Sequence, residues 1–427
     1  MSSSFVAFGV IVLLGTLFLR MPVFISLLSA SAVYFVMQPH LPAQIMVQRV
    51  VSGVEIIPLL AIPFFICAGI IMNYSGVTSR IMRFCSVLMS RVPGGLAQVN
   101  VSLSMFMGGL SGSNLADAAM NSKMLVPEME KRGFSKEFSS VVTAISAIIT
   151  SLIPPAIPMI LYGSIASVSI GRLFIAGILP GVGLWLALMA LVGFISVKRS
   201  YSQDVIEKVA LLAAFKSAII PILMPVVLIG GIRFGVYTPT EAGAVFIVFA
   251  LVLSIVYREF SFANLCKALK ETVATTASIM MIVGAASSFA WILTREQIPQ
   301  QLTALIVANI ENKYIFIIVL NLFLLFVGMF IEGNASMIVL VPLFAPIARA
   351  YGIDDIQFGI MFIFNMVLGS VTPPIGTLTF ITCGITKCPL VKFWKEAVPF
   401  YILLLIWLMI MAFFPPFTTF LVNLLWV

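Results

Sequence analysis

The apolar runs constrain this chain more than anything else in it. Stretches of hydrophobic residues recur near 5–19, 22–37, 55–73, 138–169, 173–197, 217–236, 240–257, 272–293, 357–386 and 396–420. About 20 such residues cross a bilayer as one helix. Only 9% of the 427 residues are charged, where a soluble domain carries about 25%. The runs lack the two-residue alternation of an outer-membrane barrel. The chain therefore reads as an all-α polytopic membrane protein. Its net charge of +8 does not point to nucleic acid, because the basic residues sit in short clusters between spans, as cytoplasmic loops do. The first run passes straight into a second, so no cleavable leader is expected. Cys67, Cys85, Cys266, Cys383 and Cys388 have no metal-like spacing and are expected as buried thiols.

Two runs, 138–169 and 357–386, exceed one straight span, and each carries Pro-Pro in its middle. Proline removes a backbone donor and clashes with the preceding turn, so both helices must break there. Segments 92–126 and 313–350 have apolar halves around polar, glycine-rich centres. They read as helical hairpins that enter the membrane and turn back. The basic clusters Arg80/Arg83/Arg91, Lys131/Arg132/Lys136, Lys198/Arg199/Lys208, Arg258/Lys267/Lys270 and Lys387/Lys392/Lys395 fall on one side if each hairpin returns to its own face. The loops near 38–54, 233–239 and 350–356, with both termini, are then external.

The chain repeats itself at an offset of 219 residues, without a gap, over about 70 residues. "KMLVPEMEKRGF…SLIPPAIPMI" at 123–160 is echoed by "VLVPLFAPIARAYGI…SVTPPIGTLTF" at 339–380. Pro127 matches Pro346, Gly133 matches Gly352, Ser151 matches Ser370, and Pro154-Pro155 matches Pro373-Pro374. Each unit has three crossings, so with two joining spans the second unit starts on the opposite side. The loop "KRGFSK" against its mate "YGIDDI" agrees with that inversion. The expected organisation is 1–54 as N-terminal scaffold spans and 55–200 as the first repeat. Residues 201–271 are joining scaffold spans and 272–427 the second repeat. Inverted repeats with broken helices mark secondary transporters whose site lies near the midplane.

Irregular backbone at membrane depth survives only where protein buries it or it lines a wet cavity. "MGGLSGSNLADAAM" (107–120) and "GMFIEGNAS" (328–336) are the hairpin turns. Ser111, Gly112, Ser113, Asn114, Glu332, Gly333, Asn334 and Ser336 should face a cavity, walled by "SLIPPAIP" and "GSVTPPIGT". Unwound carbonyls with Ser, Thr and Asn oxygens suit a small cation such as Na⁺, and half-helix N-termini suit a substrate carboxylate. Two such cages predict at least two Na⁺ sites. Asp117 and Glu332 are costly carboxylates in a membrane, with coupling and helix capping as the competing roles. Glu241 reads as a helix cap and His40 as a solvated loop residue. Tyr162 and Gly163 either touch substrate or pack.

"SGSNLADAAM", "IPPAIPMILYGSIASVSIGRLFIAGILPG" and "GSVTPPIGTLTF" resemble the large membrane subunit of tripartite ATP-independent periplasmic (TRAP) transporters, over nearly the whole chain. "SGSNLADAAMNSKMLVPEM" is similar to the sialic-acid branch. Ala156 stands where the family more often has serine. The resemblance implies a bacterial inner-membrane protein that is no enzyme. It also implies a small membrane subunit, a periplasmic substrate-binding protein and Na⁺-driven import of a carboxylate by an elevator movement. Carried over by motif, the substrate residues would be Ser113, Asn114, Asn334, Pro155, Pro374 and Thr377. The Na⁺ residues would be Ser111, Ser113, Ser151, Glu332, Gly333, Gly369, Thr372 and Gly376, with Asp117 as a further carboxylate. Segments 78–91 and 295–310 would act as amphipathic arms of the static brace, lying at the membrane interface.

Rival readings carry weaker signals. No "GxxxxGK[ST]" loop supports an ATP-driven pump. An intramembrane protease would need a base near Ser111 or Ser113, and His40 lies in an external loop. A channel would not need a doubly broken, inverted architecture, and a receptor or scaffold would show no uptake. A C4-dicarboxylate or other organic-acid permease keeps the mechanism and changes only the cargo. A proton-coupled carrier using Asp117 or Glu332 is the strongest mechanistic rival.

Overall fold

The computed structural model describes residues 2–19, 21–38, 40–201 and 211–426; Lys208, read above as cytoplasmic, lies outside them. The chain begins with α1 (Ser2–Phe18), α2 (Val23–Met37) and α3 (Gln44–Val54). A 3₁₀ turn, Ile57–Leu60, leads into α4 (Ala61–Tyr74), then α5 (Val77–Leu88). The first hairpin is α6 (Gly95–Ser111) and α7 (Asn114–Met124), followed by the short α8 (Val126–Lys131). The first broken helix is α9 (Lys136–Ser146), a 3₁₀ turn at Ala147–Ser151 and α10 (Ile157–Ala166). Then come α11 (Ile170–Lys198), α12 (Leu211–Arg233), α13 (Pro239–Val256), α14 (Phe262–Arg295) and α15 (Ile298–Asn309). The second hairpin is α16 (Lys313–Phe330) and α17 (Gly333–Ala350), and the second broken helix is α18 (Asp355–Gly369) and α19 (Thr377–Thr386). The chain closes with α20 (Leu390–Phe413) and α21 (Pro416–Leu425). Among the described residues, eight helices are long and apolar enough to cross a membrane. Both Pro-Pro breaks hold a cis peptide bond.

Several elements depart from the sequence reading. The expected loop near 38–54 is mostly α3, which exposes Val47 and Val51. Its apolar residues give it a face to bury, so helix wins over loop. The span read at 272–293 is the outer part of α14, whose 34 residues extend roughly 50 Å at 1.5 Å per residue. That exceeds a hydrocarbon core of about 30 Å, so the Lys267, Lys270 and Glu271 end projects from it. The run 396–420 splits at Phe414–Pro415 into α20 and α21, because Pro415-Pro416 stops the helix. Cys266 is only half-buried, whereas the other four thiols are buried.

The two repeats interlock. The returning arm of each hairpin packs on the second half of the other repeat's broken helix: α7 on α19, and α17 on α10. The first halves also cross over, α9 against α20 and α18 against α11. A helix that is apolar all round belongs in a core, and α18 is buried from Ile356 to Gly369. Close crossings are made by glycine. A Cβ on Gly369 would lie 2.6 Å from the Gly328 Cα, and one on Gly108 2.9 Å from the Thr150 Cα. A second group surrounds this body: α2, α3 and α4 pack on α14, α4 also on α13, and α5 on α12. Tyr34 donates to Glu296 across α2 and α14.

The inversion is written in ion pairs. Glu130 pairs with Lys136 at 3.6 Å, and Arg349 pairs with Asp355 at 2.8 Å. These four residues are mates at the 219 offset, with the signs exchanged. The Arg349 end of the molecule carries Arg49, Arg172, Arg233, Arg295, Lys313 and Arg349 against Glu55, Glu241, Glu296, Glu311, Asp354 and Asp355. The opposite end carries the basic clusters of the described residues, the pattern expected of a cytoplasmic face. Arg349 also donates to the Ala166 carbonyl at 2.8 Å, and the Tyr162 hydroxyl donates to the Asp355 carbonyl at 3.0 Å. Both bonds tie one repeat to the other at the external end. The cytoplasmic end has its own ties, Arg199 to Glu396 at 2.7 Å and Lys392 to Glu137 at 3.6 Å.

Two outcomes follow. In a Cys266→Ser background, Lys131→Cys should react with a membrane-impermeant maleimide only from the cytoplasmic side, and its mate Ala350→Cys only from the periplasmic side; labelling of intact cells and inverted vesicles reads this. Gly369→Ala forces backbone apart and should lower stability by about 1–3 kcal/mol. Gly230→Ala meets nothing within 4 Å and should leave the melting temperature unchanged or raised.

Candidate functional site

Each hairpin tip closes onto a helix break, and the joint recurs in both repeats with the same donor position and an acceptor displaced by two residues. At the first tip, Gly112 adopts φ +59°, in the left-handed region that only glycine enters cheaply. A Cβ there would lie 2.6 Å from the Pro155 carbonyl oxygen. The Ile157 N–H donates to the Gly112 carbonyl at 3.2 Å. Ser113 caps α7, its hydroxyl accepting the Ala116 N–H at 3.4 Å. At the second tip, Glu332 caps α17 and its Oε2 accepts the Ala335 N–H at 3.0 Å. The Gly376 N–H donates to the Met329 carbonyl at 3.1 Å. Ser113 and Glu332, Ala116 and Ala335, and Ile157 and Gly376 are all mates at the 219 offset. One tip is capped by a hydroxyl and the other by a carboxylate.

The tips face one another across a narrow cavity of about 10 Å³, close to the minimum for one water. Asn114, Leu115 and Pro158 line it from the first repeat. Glu332, Gly333, Asn334, Met337, Met366, Val367, Ser370 and Thr377 line it from the second. Among the described residues, Glu332 is the only ionisable group on its wall. Its Oε1 accepts the Asn334 side-chain N–H at 2.9 Å. A site for a small organic ligand needs about 300 Å³ or more, so the tips must separate before one fits.

Of the residues singled out from sequence, Asn114, Glu332, Gly333, Asn334 and Thr377 share this cavity wall. Ser111 sits at the end of α6, where its Oγ accepts the Ser113 N–H at 3.5 Å. Ser151 is buried behind the first break, its hydroxyl without a partner among the described residues. Thr377 likewise keeps a buried hydroxyl oxygen unpartnered. Thr372 donates to the Gly369 carbonyl at 2.9 Å, beside Gly376 in the second break. Pro155 is buried, whereas Pro374 is exposed.

Asp117 does not line the cavity. Its Oδ1 accepts from Asn121 at 3.2 Å and its Oδ2 from Thr150 at 3.3 Å, and Asn121 also donates to Ser104 at 3.2 Å. These bonds tie the returning arm of the first hairpin to its first arm and to the broken helix. Glu241 forms a capping box with Thr238, and His40 is exposed. Pro158 and Ser370 belong to the stretches "SLIPPAIP" and "GSVTPPIGT" expected as walls, and both line the cavity. The sequence reading missed Met337, Met366 and Val367, which lie in apolar runs with nothing to single them out.

A wider opening, about 820 Å³, lies at the external end, where Ser164, Ser167 and Ser169 face Tyr237, Thr238 and Glu241. It separates the turn after α10 from the loop between α12 and α13.

Comparison with known proteins agrees with this arrangement. Residues 10–417 match the family described as tripartite ATP-independent periplasmic transporter, DctM component. The chain is 37% identical over 409 residues to the sialic acid TRAP transporter large permease protein SiaM of Vibrio cholerae, covering 95% of each chain. It is 35% identical over 408 residues to the 2,3-diketo-L-gulonate TRAP transporter large permease protein YiaN of Escherichia coli, covering 94% of this chain and 95% of that one. Among solved structures, the YdaH transporter of Alcanivorax borkumensis superposes with a TM-score of 0.59 at 15% identity, over 87% of each chain. That likeness is one of fold.

Gly112→Ala tests the first joint. A left-handed alanine costs about 1–2 kcal/mol, and the clash with the Pro155 carbonyl adds to it. We expect a melting temperature several degrees lower in detergent, read by intrinsic fluorescence.

Proposed function

Since the chain belongs to the DctM component family of tripartite ATP-independent periplasmic transporters, and is thus a multi-pass membrane permease and not an enzyme, we propose that it imports a carboxylate driven by a Na⁺ gradient. The cargo we propose is sialic acid. The delivering partner is a periplasmic substrate-binding protein, and a small membrane subunit widens the brace around α2–α5 and α12–α15.

The observation that carries this reading is the duplicated joint between hairpin tip and helix break. Each joint leaves backbone carbonyls and hydroxyl oxygens at membrane depth. Ser151 keeps a buried oxygen with no hydrogen-bond partner among the described residues, and an unmet buried acceptor is costly. Hard neutral oxygens are the donors an alkali cation takes, so the residues fit Na⁺. In the first repeat, Ser111, Ser113 and Ser151 would hold it. In the second, Glu332, Gly333, Gly369, Thr372 and Gly376 would do so. Asn114, Asn334 and Thr377 orient the substrate across the cavity, with Ser113, Pro155 and Pro374 at its margins. Asp117 fixes the shape of the first hairpin through Asn121 and Thr150.

An elevator movement is the proposed route. The interlocked body of α6–α11 and α16–α20 moves as one piece against the surrounding helices, because its ties run between the repeats at both ends. The cargo of the family is not uniform: one relative is named for sialic acid and another for 2,3-diketo-L-gulonate. A C4-dicarboxylate or other organic acid is therefore the alternative cargo. A proton-coupled carrier using Asp117 or Glu332 is the alternative drive, and the bonds that occupy both oxygens of Asp117 disfavour it there.

Uptake of labelled sialic acid into proteoliposomes tests the reading. The vesicles contain this chain, the small subunit and the loaded binding protein. Uptake should vanish without an inward Na⁺ gradient and without the binding protein. Ser113→Ala and Thr372→Val should each raise the half-saturating Na⁺ concentration about tenfold. Uptake that follows a pH gradient in Na⁺-free medium would overturn the Na⁺ drive.

A further inference from the structure

The inverted repeats carry matched residues to opposite ends of the molecule, and one pair changes its chemistry on the way. Ser164 and Ser169, at the external end, have Cys383 and Cys388 as their mates at the 219 offset. The two thiols lie at the other end, beside the basic cluster Lys387, Lys392 and Lys395. Paired thiols stay open in a reducing cytosol, whereas an oxidising compartment joins them. Sulfur thus replaces oxygen on the side where it is kept reduced.

The end of α19 brings these thiols together. Lys387 follows its last residue at φ +58°. A helix stopped by a left-handed residue turns the next residue back onto the one five positions earlier. Those two residues are Cys388 and Cys383. The Cys383 thiol donates to the Cys388 sulfur, and the Cys388 thiol donates to the Pro389 carbonyl at 3.8 Å. Side chains already in contact meet the demand of a disulfide for closely set β-carbons. Cys383 is 6% exposed and Cys388 5%. A peptide thiol cannot enter so closed a place, but hydrogen peroxide, little larger than water, can. Burial pushes the Cys388 thiol up, and only the thiolate attacks, so the reaction is slow beside a transport cycle.

We propose that Cys383 and Cys388 form a peroxide-set lock on the second broken helix. The Cys388 thiolate attacks one oxygen of hydrogen peroxide and the O–O bond breaks. Hydroxide leaves, takes up the proton the thiol gave, and a sulfenic acid remains on Cys388. The Cys383 sulfur then attacks the Cys388 sulfur, and the S–O bond breaks. The departing hydroxide takes the Cys383 proton, so a disulfide and a second water result. The two thiols lose two electrons and the peroxide gains them. The bond staples the last turn of α19 to the start of α20. Only ten residues long, α19 begins at Thr377 on the cavity wall. It packs on α7, and Ser140 of α9 donates to its Thr386 at 3.0 Å. A stapled α19 holds that wall in place when the tips must separate. The bond itself needs nothing from the transport reading; the loss of uptake rests on it.

The test treats the complex of this chain with the small subunit with hydrogen peroxide, blocks free thiols with N-ethylmaleimide and maps the peptides by mass spectrometry. A Cys383–Cys388 disulfide should appear, with loss of two hydrogen atoms, and a water-soluble phosphine should reverse it. Uptake of labelled sialic acid into proteoliposomes should fall severalfold after peroxide and recover with the phosphine, which does not repair oxidised methionine. Cys383→Ser and Cys388→Ser copy the mates at the external end. Each should keep the uptake of the untreated protein and lose the reversible response to peroxide. Cys388 found as a sulfinic acid, or joined to another thiol with Cys383 free, overturns the proposal. So does a disulfide that leaves uptake unchanged. Where the untreated protein takes up no sialic acid, the transport reading fails and hydrogen exchange over residues 377–388 decides the lock. Slower exchange in the oxidised chain then supports it, and unchanged exchange overturns it.

Discussion

Every unusual feature of this protein follows from one constraint: backbone polar groups cannot be left bare in lipid. A hairpin that turns at membrane depth, and a helix that breaks there, each expose N–H and C=O groups. Neither is stable alone. The solution is to set the loose end of one against the loose end of the other. The Ile157 N–H meets the Gly112 carbonyl, and the Gly376 N–H meets the Met329 carbonyl. Cross-packing of α7 on α19 and of α17 on α10 then encloses both joints in protein. The repeats are thus halves of one enclosed core, each sealing the other.

The enclosure is asymmetric in a way that matters for chemistry. The first break is buried throughout, and a polar chain of Asn100, Thr143, Ser104, Ser146, Asn121, Asp117 and Thr150 braces the first hairpin. The mates of Asn100, Ser104, Asn121 and Thr143 are Val319, Phe323, Leu340 and Phe362, so the second hairpin lacks that chain. Its break leaves Pro373, Pro374 and Ile375 exposed. The first half is stiffened by buried hydrogen bonds, which in a low dielectric are costly to break. The second half is held mainly by apolar contact and by Asn365 donating to Asn321 at 2.7 Å.

Much of this was legible in the chain. The 219 offset predicts both joints, because Pro154-Pro155 and Pro373-Pro374 carry a local signal that no tertiary context overrides. The reversed ion pairs Glu130–Lys136 and Arg349–Asp355 are visible in sequence as the contrast between "KRGFSK" and "YGIDDI". What stayed hidden depends on contacts between distant segments. Nothing in "QIMVQRVVSGV" states that α14 will be there to pack on it, so α3 reads as loop. Met366 on the cavity wall is chemically indistinguishable from its buried neighbours until α17 is placed beside it. Pro415-Pro416 carries the same local signal as the other two Pro-Pro pairs, but it has no repeat mate and lies inside an apolar run, so the break there does not stand out.

The interlock also has a consequence for biosynthesis. The first hairpin leaves the ribosome long before α19 exists to receive α7. About 260 residues separate the two helices, which at 5–20 residues per second is roughly 15–50 s of translation. During that interval a segment bearing Asn114, Asp117, Asn121 and Lys123 has no lipid-compatible partner. It must wait in the translocation machinery, at the aqueous surface or beside an insertase. Insertion of the first half is therefore completed by synthesis of the second. A ribosome that stops before Thr386 leaves a chain whose apolar spans are anchored while its transport core lies outside the bilayer, a form that membrane quality control can recognise by its exposed polar hairpin.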